Sequence, residues 1–325
     1  MNGNGRLPRT VVVIGSLNAD LTVHTDKLPL PGQTVKGSAL QISSGGKSAN
    51  QAVAAALLGA KVAMMGSVGD DEHGRMLRDS LRRAGVDTTA VTTSTAPTGT
   101  AVIEVDGLGE NTIVVSAGAN GTFLHDDKAV ARLLEGAGAL CLCLEIPLPA
   151  VMAAARCGRV SGVQVLLNLS PYAEVPDALF SYSDVLLLNE HEAASLVGRP
   201  VNQDWAALHT ALQERGVKRA VITRGAKGAV VLDATAKETF VEVATIHVDA
   251  VDTTGSGDAF TGALAARLAA GDELVDAAGF AARAGAWAAT KYGTQGSYAT
   301  LQELDHWEPS TPQHRALVTG SIQAP

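Results

Sequence analysis

Residues 11–15 read V-V-V-I-G, four apolar, mostly β-branched residues closed by a glycine. A short run with no polar alternation is a strand covered on both faces, as in a parallel sheet between helices. Outward from it the chain first departs from that plan. Residues 21–43 alternate weakly and carry the turn L-P-L-P-G-Q at 28–33, which reads as short antiparallel strands. A second such patch, 98–115, places the hairpin signal D-G-L-G-E-N between V-I-E-V and T-I-V-V. The two patches are expected to form one small sheet outside the main one.

Between and beyond them a βα rhythm is regular. Helices are expected at 48–58, 74–84 and 149–157, and strands at 62–65, 139–144, 163–167, 185–188, 220–223 and 229–232. Two alanine-rich helices, about 256–269 and 273–290, close the pattern. This alternation implies an α/β fold with a doubly wound, mainly parallel sheet flanked by helices. The folded unit is expected to span 10–305, with a polar, poorly ordered tail at 306–325.

Composition agrees with one large α/β domain. The 325 residues are 46% hydrophobic but 4% aromatic, which suits a buried sheet under alanine-rich helices. A net charge of −8 with no basic block argues against nucleic-acid binding. No apolar run is long enough to span a membrane, and the first ten residues lack the apolar centre of a signal peptide. A cytoplasmic protein is expected. Cys141, Cys143 and Cys157 lie in apolar surroundings without a Cys-x-x-Cys spacing, and read as reduced packing residues.

Chemistry concentrates in three places. Gly255-Ser256-Gly257 precedes an apolar helix whose first turn holds Asp258. Amides at a helix start form an anion site, and an adjacent carboxylate can take a proton. Capping alone is the plain alternative. Two familiar phosphate motifs fail: S-G-G-K-S at 44–48 has Gln41 where a P-loop needs glycine, and Phe260 stands where a dinucleotide fingerprint needs one. Near the N-terminus, Asn18 and Asp20 follow the first strand, and Gly45 to Asn50, with Gly46 and Lys47, opens the next helix. Their mixed donors and acceptors suit a polyhydroxylated ligand. Asn189 and Glu192 follow the strand V-L-L-L, where an amide and a carboxylate can hold hydrated Mg²⁺ or cap a helix. His191 reads as a surface residue.

These motifs stand in a recurring order: S-L-N-A-D (16–20), P-G-Q-T-V (31–35), G-G-K-S-A-N-Q-A-V-A-A-A (45–56), V-G-D-D-x-x-G (68–74), G-E-N-T-I (109–113), G-A-N (118–120), N-x-x-E (189–192), T-R-G-A-K-G (223–228) and D-T-T-G-S-G-D-A-F (252–260). Together they resemble the ribokinase, or PfkB-type, carbohydrate kinase family, over about residues 11–297. The resemblance implies ATP-dependent phosphoryl transfer to the 5-hydroxyl of a sugar such as D-ribose. Asp258 would be the base, with Gly255, Ser256 and Gly257 as the anion hole.

It further implies Asn18, Asp20, Gly46, Lys47, Asn50, Ile103 and Glu145 around the sugar. Asn189 and Glu192 would organise Mg²⁺ and phosphates, and Thr223, Gly225, Gly228 and Gly257 would border the nucleotide. K⁺ would lie among Asp252, Thr254, Ala289, Gly293 and Ser297. The small sheet becomes a lid that pairs two subunits into a homodimer. Four residues depart from the family pattern: Ser48 for glycine, Gln33 for glutamate, Ala282 for Asn or His, and Gly296 for proline. Ser48 is expected to add bulk beside the sugar, and Ala282 to loosen the nucleotide pocket. The competing readings are a kinase of deoxyribose, another pentose, a hexose or a nucleoside, and a non-catalytic sugar-binding regulator. The regulator predicts loss of the base or the glycines, and both are present.

Overall fold

In the computed structural model the described residues are 9–236, 238–244 and 246–308. The expected tail at 306–325 lies outside the described residues beyond 308. In chain order the strands and helices are β1 (Thr10–Ile14), β2 (Asn18–His24), β3 (Gln41–Gly45), α1 (Lys47–Leu57), β4 (Val62–Gly69), α2 (Glu72–Arg83), β5 (Asp87–Ser94), β6 (Gly99–Val105), β7 (Asn111–Ser116), α3 (Asp127–Leu133), β8 (Ala137–Leu142) and α4 (Leu148–Val160). They continue as β9 (Gln164–Asn168), α5 (Asp177–Tyr182), β10 (Val185–Asn189), α6 (Glu190–Val197), α7 (Trp205–Glu214), β11 (Arg219–Thr223), β12 (Ala229–Asp233), β13 (Phe240–Val243), α8 (Ser256–Ala270), α9 (Leu274–Ala288) and α10 (Leu301–Asp305).

Nine strands form the main sheet in the order β13-β12-β11-β10-β9-β8-β1-β4-β5. It is parallel from β11 through β5, whereas β12 pairs antiparallel with both β11 and β13. Alternate residues of β1 show why V-V-V-I is continuous. Val11 and Val13 pack on one face with α1, α8 and α9, while Val12 and Ile14 pack on the other with α4 and α7. The chain starts in the middle of the sheet, runs to one edge, and returns to β8 on the other side of β1. That reversal opens a crevice at the carboxyl ends of β1 and β8.

The second sheet has the order β3-β2-β6-β7, built from the two expected patches. Within each patch the strands pair antiparallel, and β2 joins β6 in parallel. One detail differs from expectation: β2 begins at Asn18, so Asn18 and Asp20 are residues of this sheet, not of a loop after β1. The turn at 28–33 lies within a long connection held by a single bridge, Thr25 to Gly37, and is not a hairpin tip. The strand β5, D-T-T-A-V-T-T-S, carries no apolar run to announce it, because it is an edge strand covered mainly on one side.

Candidate active site

Two helix starts and one strand start converge at the crevice. Gly46, immediately before α1, has φ 91°, and a Cβ there would lie 2.7 Å from the Asn18 amide nitrogen. Glycine therefore lets α1 begin against β2. The Lys47 amide donates to Glu145 Oε2 at 3.0 Å, and Ser16 Oγ donates to the same oxygen at 2.5 Å. A carboxylate arriving after β8 thus satisfies the positive end of α1. Asn18 is aimed by Asn120, whose Nδ2 donates to Asn18 Oδ1 at 2.8 Å and whose Oδ1 accepts from the Leu17 amide at 2.9 Å.

At the second helix start, Gly255 adopts a left-handed φ of 75° with the Tyr298 hydroxyl packed where a Cβ would be. Asp258 follows in the first turn of α8 and is buried. Its Oδ2 accepts from Asn50 Nδ2 at 3.0 Å and its Oδ1 from Gln51 Nε2 at 3.1 Å. Consecutive residues of α1 therefore hold both oxygens of one carboxylate. Of the three expected anion-hole residues, Ser256 is differently engaged: its amide donates to the Thr253 carbonyl at 3.1 Å. Among the described residues no acceptor meets the amides of Gly255, Gly257 or Asp258, and the last two lie within α8 itself, where a ligand anion can bind them. The Ser256 hydroxyl is buried without a partner among the described residues.

Charge in the crevice is dense. Burial, reinforced by Glu145 and Asp258, pushes the Asp20 carboxyl up to about 7. Burial disfavours the Lys47 charge, yet Asp258, Glu145 and Glu192 outweigh it and hold that ammonium above its usual range. Because Asp20 keeps in the folded chain a proton that the unfolded chain has lost, stability falls as pH rises from the ordinary carboxylate range to about 7. The urea midpoint is expected to drop between about pH 4 and about pH 7, and Asp20→Asn to flatten that part of the drop. An equally steep variant would remove Asp20 as its source.

Two cavities adjoin at Gly257, and one of them reaches Asp258. One of about 250 Å³ is lined by Lys47, Asn168, Asn189, Glu192, Gly257 and Asp258 among others. The second, of about 330 Å³ and mostly apolar, is lined by Thr223, Gly225, Gly228, Ser256, Ala282 and Ala289 with their neighbours. Thr223, Thr253 and Gly257 border both. Asn189 and Glu192 form a capping box at the start of α6, each side chain bonding the other's backbone amide at 2.9 and 2.8 Å. The capping reading of that pair therefore holds, and both residues still face the polar cavity.

Four expected cation-site residues gather beside α8. Asp252 accepts from the Thr254 and Gly293 amides, each at 2.9 Å, and its amide reaches the Ala289 carbonyl. Despite a burial cost, these bonds hold its carboxyl below the usual range, so it stays ionised. Ser297 is buried nearby in sequence, with its hydroxyl donating to the Thr294 carbonyl at 2.7 Å. Ile103 is not drawn into the cluster. It lies on β6 opposite Thr22 and Ile113, on the sheet face shared with Asn18 and Asp20.

The Ser48 expectation needs correction. Its side chain is wholly buried, with Oγ 3.0 Å from Cys143 Sγ, in the space that Gly15 leaves free. The hydroxyl is spent in the core beneath the helix start. Gln33 closes a local turn by accepting from the Leu30 amide, and Gly296 is exposed with open space around its Cα. Cys141 and Cys143 are buried and free, and burial pushes them up to about 12 and about 11; Cys157 is only half-buried. His191 is exposed. Sequence reasoning missed Ser16, Gln51, Asn168, Gln295 and Tyr298. Gln51 was within reach, since it adjoins Asn50 in a helix start, but nothing in sequence separates two adjacent amides by role.

The chain matches the pfkB family carbohydrate kinase over residues 8–301. It is 37% identical over 302 residues to the ribokinase of Haemophilus influenzae, covering 91% of this chain and 97% of that one. It is 33% identical over 302 residues to the deoxyribokinase of Salmonella typhi, covering 91% and 98%. Among solved structures it resembles the Arabidopsis thaliana ribokinase complexed with ribose and ATP, with a TM-score of 0.83 and 29% identity, covering 93% of this chain and all of that one.

Proposed function

The chain belongs to the PfkB family of carbohydrate kinases, and from that premise we propose that it is an ATP-dependent ribokinase acting on the 5-hydroxyl of D-ribose. The observation that carries this reading is Asp258, a buried carboxylate held by Asn50 and Gln51 at the mouth of a helix start with unclaimed amides. The apolar cavity bordered by Thr223, Gly225 and Gly228 takes the nucleotide, and the polar one takes its phosphates. Asn18, Asp20, Gly46, Lys47, Asn50 and Glu145 take the sugar, with Ile103 contributing from the lid sheet.

In this mechanism Asp258 accepts the proton of the attacking hydroxyl as the oxygen approaches the γ-phosphorus. The oxygen–phosphorus bond forms as the bond to ADP breaks. The Gly257 and Asp258 amides and the Lys47 ammonium stabilise charge on the moving phosphoryl group, while Gly255 and Ser256 set the turn that aims them. Closure of the lid sheet excludes water that would otherwise take the phosphoryl group.

The donor set suits Mg²⁺, because Asn189 and Glu192 offer hard oxygens in the phosphate cavity and their capping box leaves each side chain facing it. Bound there with its waters, Mg²⁺ would neutralise phosphate charge. K⁺ suits the ionised Asp252 with the Thr254, Ala289 and Gly293 carbonyls and the Ser297 hydroxyl. It would steady the turn before α8. Homodimer formation through the lid sheet is supported by Ile42, Val102 and Val114, which are exposed on one face of the sheet, on β3, β6 and β7. Free cysteines support a cytoplasmic setting.

The deciding experiment is an ADP-release screen over pentoses, hexoses and nucleosides, with and without K⁺, on protein whose size is read by sedimentation. D-ribose is expected to give the highest kcat/KM, with K⁺ raising it, on a dimer. Preference for deoxyribose, the reading favoured by the deoxyribokinase relative, would replace the substrate; equal rates without K⁺ would remove the cation, and a monomer the dimer.

A further inference from the structure

We propose that Gln295 is a positioning residue for phosphoryl transfer, acting through Asn50 on the base Asp258; this rests on the kinase reading above. Gln295 lies in the single turn Gln295–Ser297, 37 residues beyond Asp258, and lines neither cavity. Its Nε2 donates to Asn50 Oδ1 at 3.0 Å, and its Oε1 accepts from Ser80 Oγ at 2.8 Å. With Asn50 Nδ2 donating to Asp258 Oδ2, four side chains from α2, the 295–297 turn, α1 and α8 form one hydrogen-bonded row.

Chemistry dictates the direction of this row. An ionised carboxylate only accepts, so Asn50 must turn its NH₂ toward Asp258 and its oxygen outward. That oxygen needs a donor, which among the described residues only the NH₂ of Gln295 supplies; the Gln295 oxygen then needs a donor in turn, the Ser80 hydroxyl. Without Gln295 the Asn50 amide can rotate and present its oxygen to Asp258, which would repel the base from its place. The turn itself is braced at both ends. Thr294 Oγ1 donates to the Ser44 carbonyl on β3 at 3.2 Å, and the Ser297 amide and hydroxyl both donate to the Thr294 carbonyl. Asp258 thus has two amide donors on α1: Gln51, whose own Oε1 meets no donor among the described residues, and Asn50, whose orientation is set from outside the helix.

The test compares Gln295→Met, which removes both bonds at similar size, and Gln295→Glu, which cannot donate to Asn50 when ionised. Each is made alone and with Asn50→Ala, and steady-state kinetics are measured with ATP and the preferred sugar. The expected result is a fall in kcat of about tenfold for Gln295→Glu and less for Gln295→Met, with KM for ATP within about twofold of the parent. In the Asn50→Ala background neither change should lower kcat further, because the residue acts through Asn50. Ser80→Ala, which leaves Gln295 in place but frees its carbonyl, should lower kcat in the same direction by a smaller factor and serves if Gln295→Met folds poorly. Retained kcat in the folded single variants, or an undiminished loss in the Asn50→Ala background, overturns the inference while leaving the kinase reading intact. A parent chain that releases no ADP with any sugar overturns both.

Discussion

Asp258→Asn is expected to lower the rate of sugar phosphorylation by about a thousandfold while leaving sugar affinity, read by calorimetry, within a few-fold of the parent. The replacement preserves size, and its one oxygen can still accept from Asn50 or Gln51, so the α1–α8 contact survives. It removes the second acceptor and, with it, the capacity to take the hydroxyl proton. The loss should appear in kcat more than in KM for ATP, since Asp258 lines only the polar cavity proposed for the phosphates and not the apolar one proposed for the rest of the nucleotide. Comparable turnover in the variant would mean that another group accepts the proton. Among the described residues the other carboxylates acting on Lys47 are Glu145, committed to Ser16 and the α1 start, and Glu192, committed to the α6 cap, while Asp20, the further buried carboxylate of the crevice, stands on β2 rather than beside the α8 amides. None has a free position equivalent to that of Asp258, which is why the expected effect is large.

Much of this geometry is legible in the chain itself. V-V-V-I followed by alternating helices and strands implied a parallel sheet, because a strand buried on both faces has no polar alternation to show. G-S-G-D implied a helix start offering amides and a carboxylate together. What stayed hidden has a physical cause in each instance. The strand β5 is half-exposed at an edge, and threonine-rich edges carry little hydrophobic signal. Asn18 and Asp20 looked like loop residues because β2 begins three residues after β1 closes at Gly15, leaving no turn long enough to mark the change of sheet. Ser48 reads as a ligand neighbour because it stands between Lys47 and Asn50; a helix turns by about 100° per residue, and that rotation carries Ser48 toward Cys143 instead. Gln295 and Ser80 lie 215 residues apart, and no local pattern can announce such a pairing.

Gly262→Ala is expected to destabilise the chain by about 1–3 kcal/mol in urea unfolding and to lower kcat as well, although residue 262 touches no ligand. The reason is the seam between α1 and α8. Eleven of the fifteen residues of α8 are buried, and the helix lies against α1 closely enough that a Cβ at 262 would sit 2.4 Å from the Gln51 carbonyl oxygen, 2.7 Å from Ala54 Cβ and 2.9 Å from the Ala55 amide nitrogen. Two of those atoms are backbone, so no rotamer change relieves them and the helices must part. Asp258 is one turn before Gly262 on α8, and Gln51 supplies both the clashing carbonyl and a bond to Asp258. Parting the helices therefore stretches the bonds of 3.0 and 3.1 Å that hold the base. The same substitution at Gly279, in the neighbouring α9, meets nothing within 4 Å and should stabilise by about 0.5–1 kcal/mol through the unfolded chain, with kcat unchanged. Opposite signs for one chemical change in adjacent helices would locate the effect in the α1–α8 seam; equal urea midpoints for the two variants would mean that the seam yields without cost and that the base is held some other way.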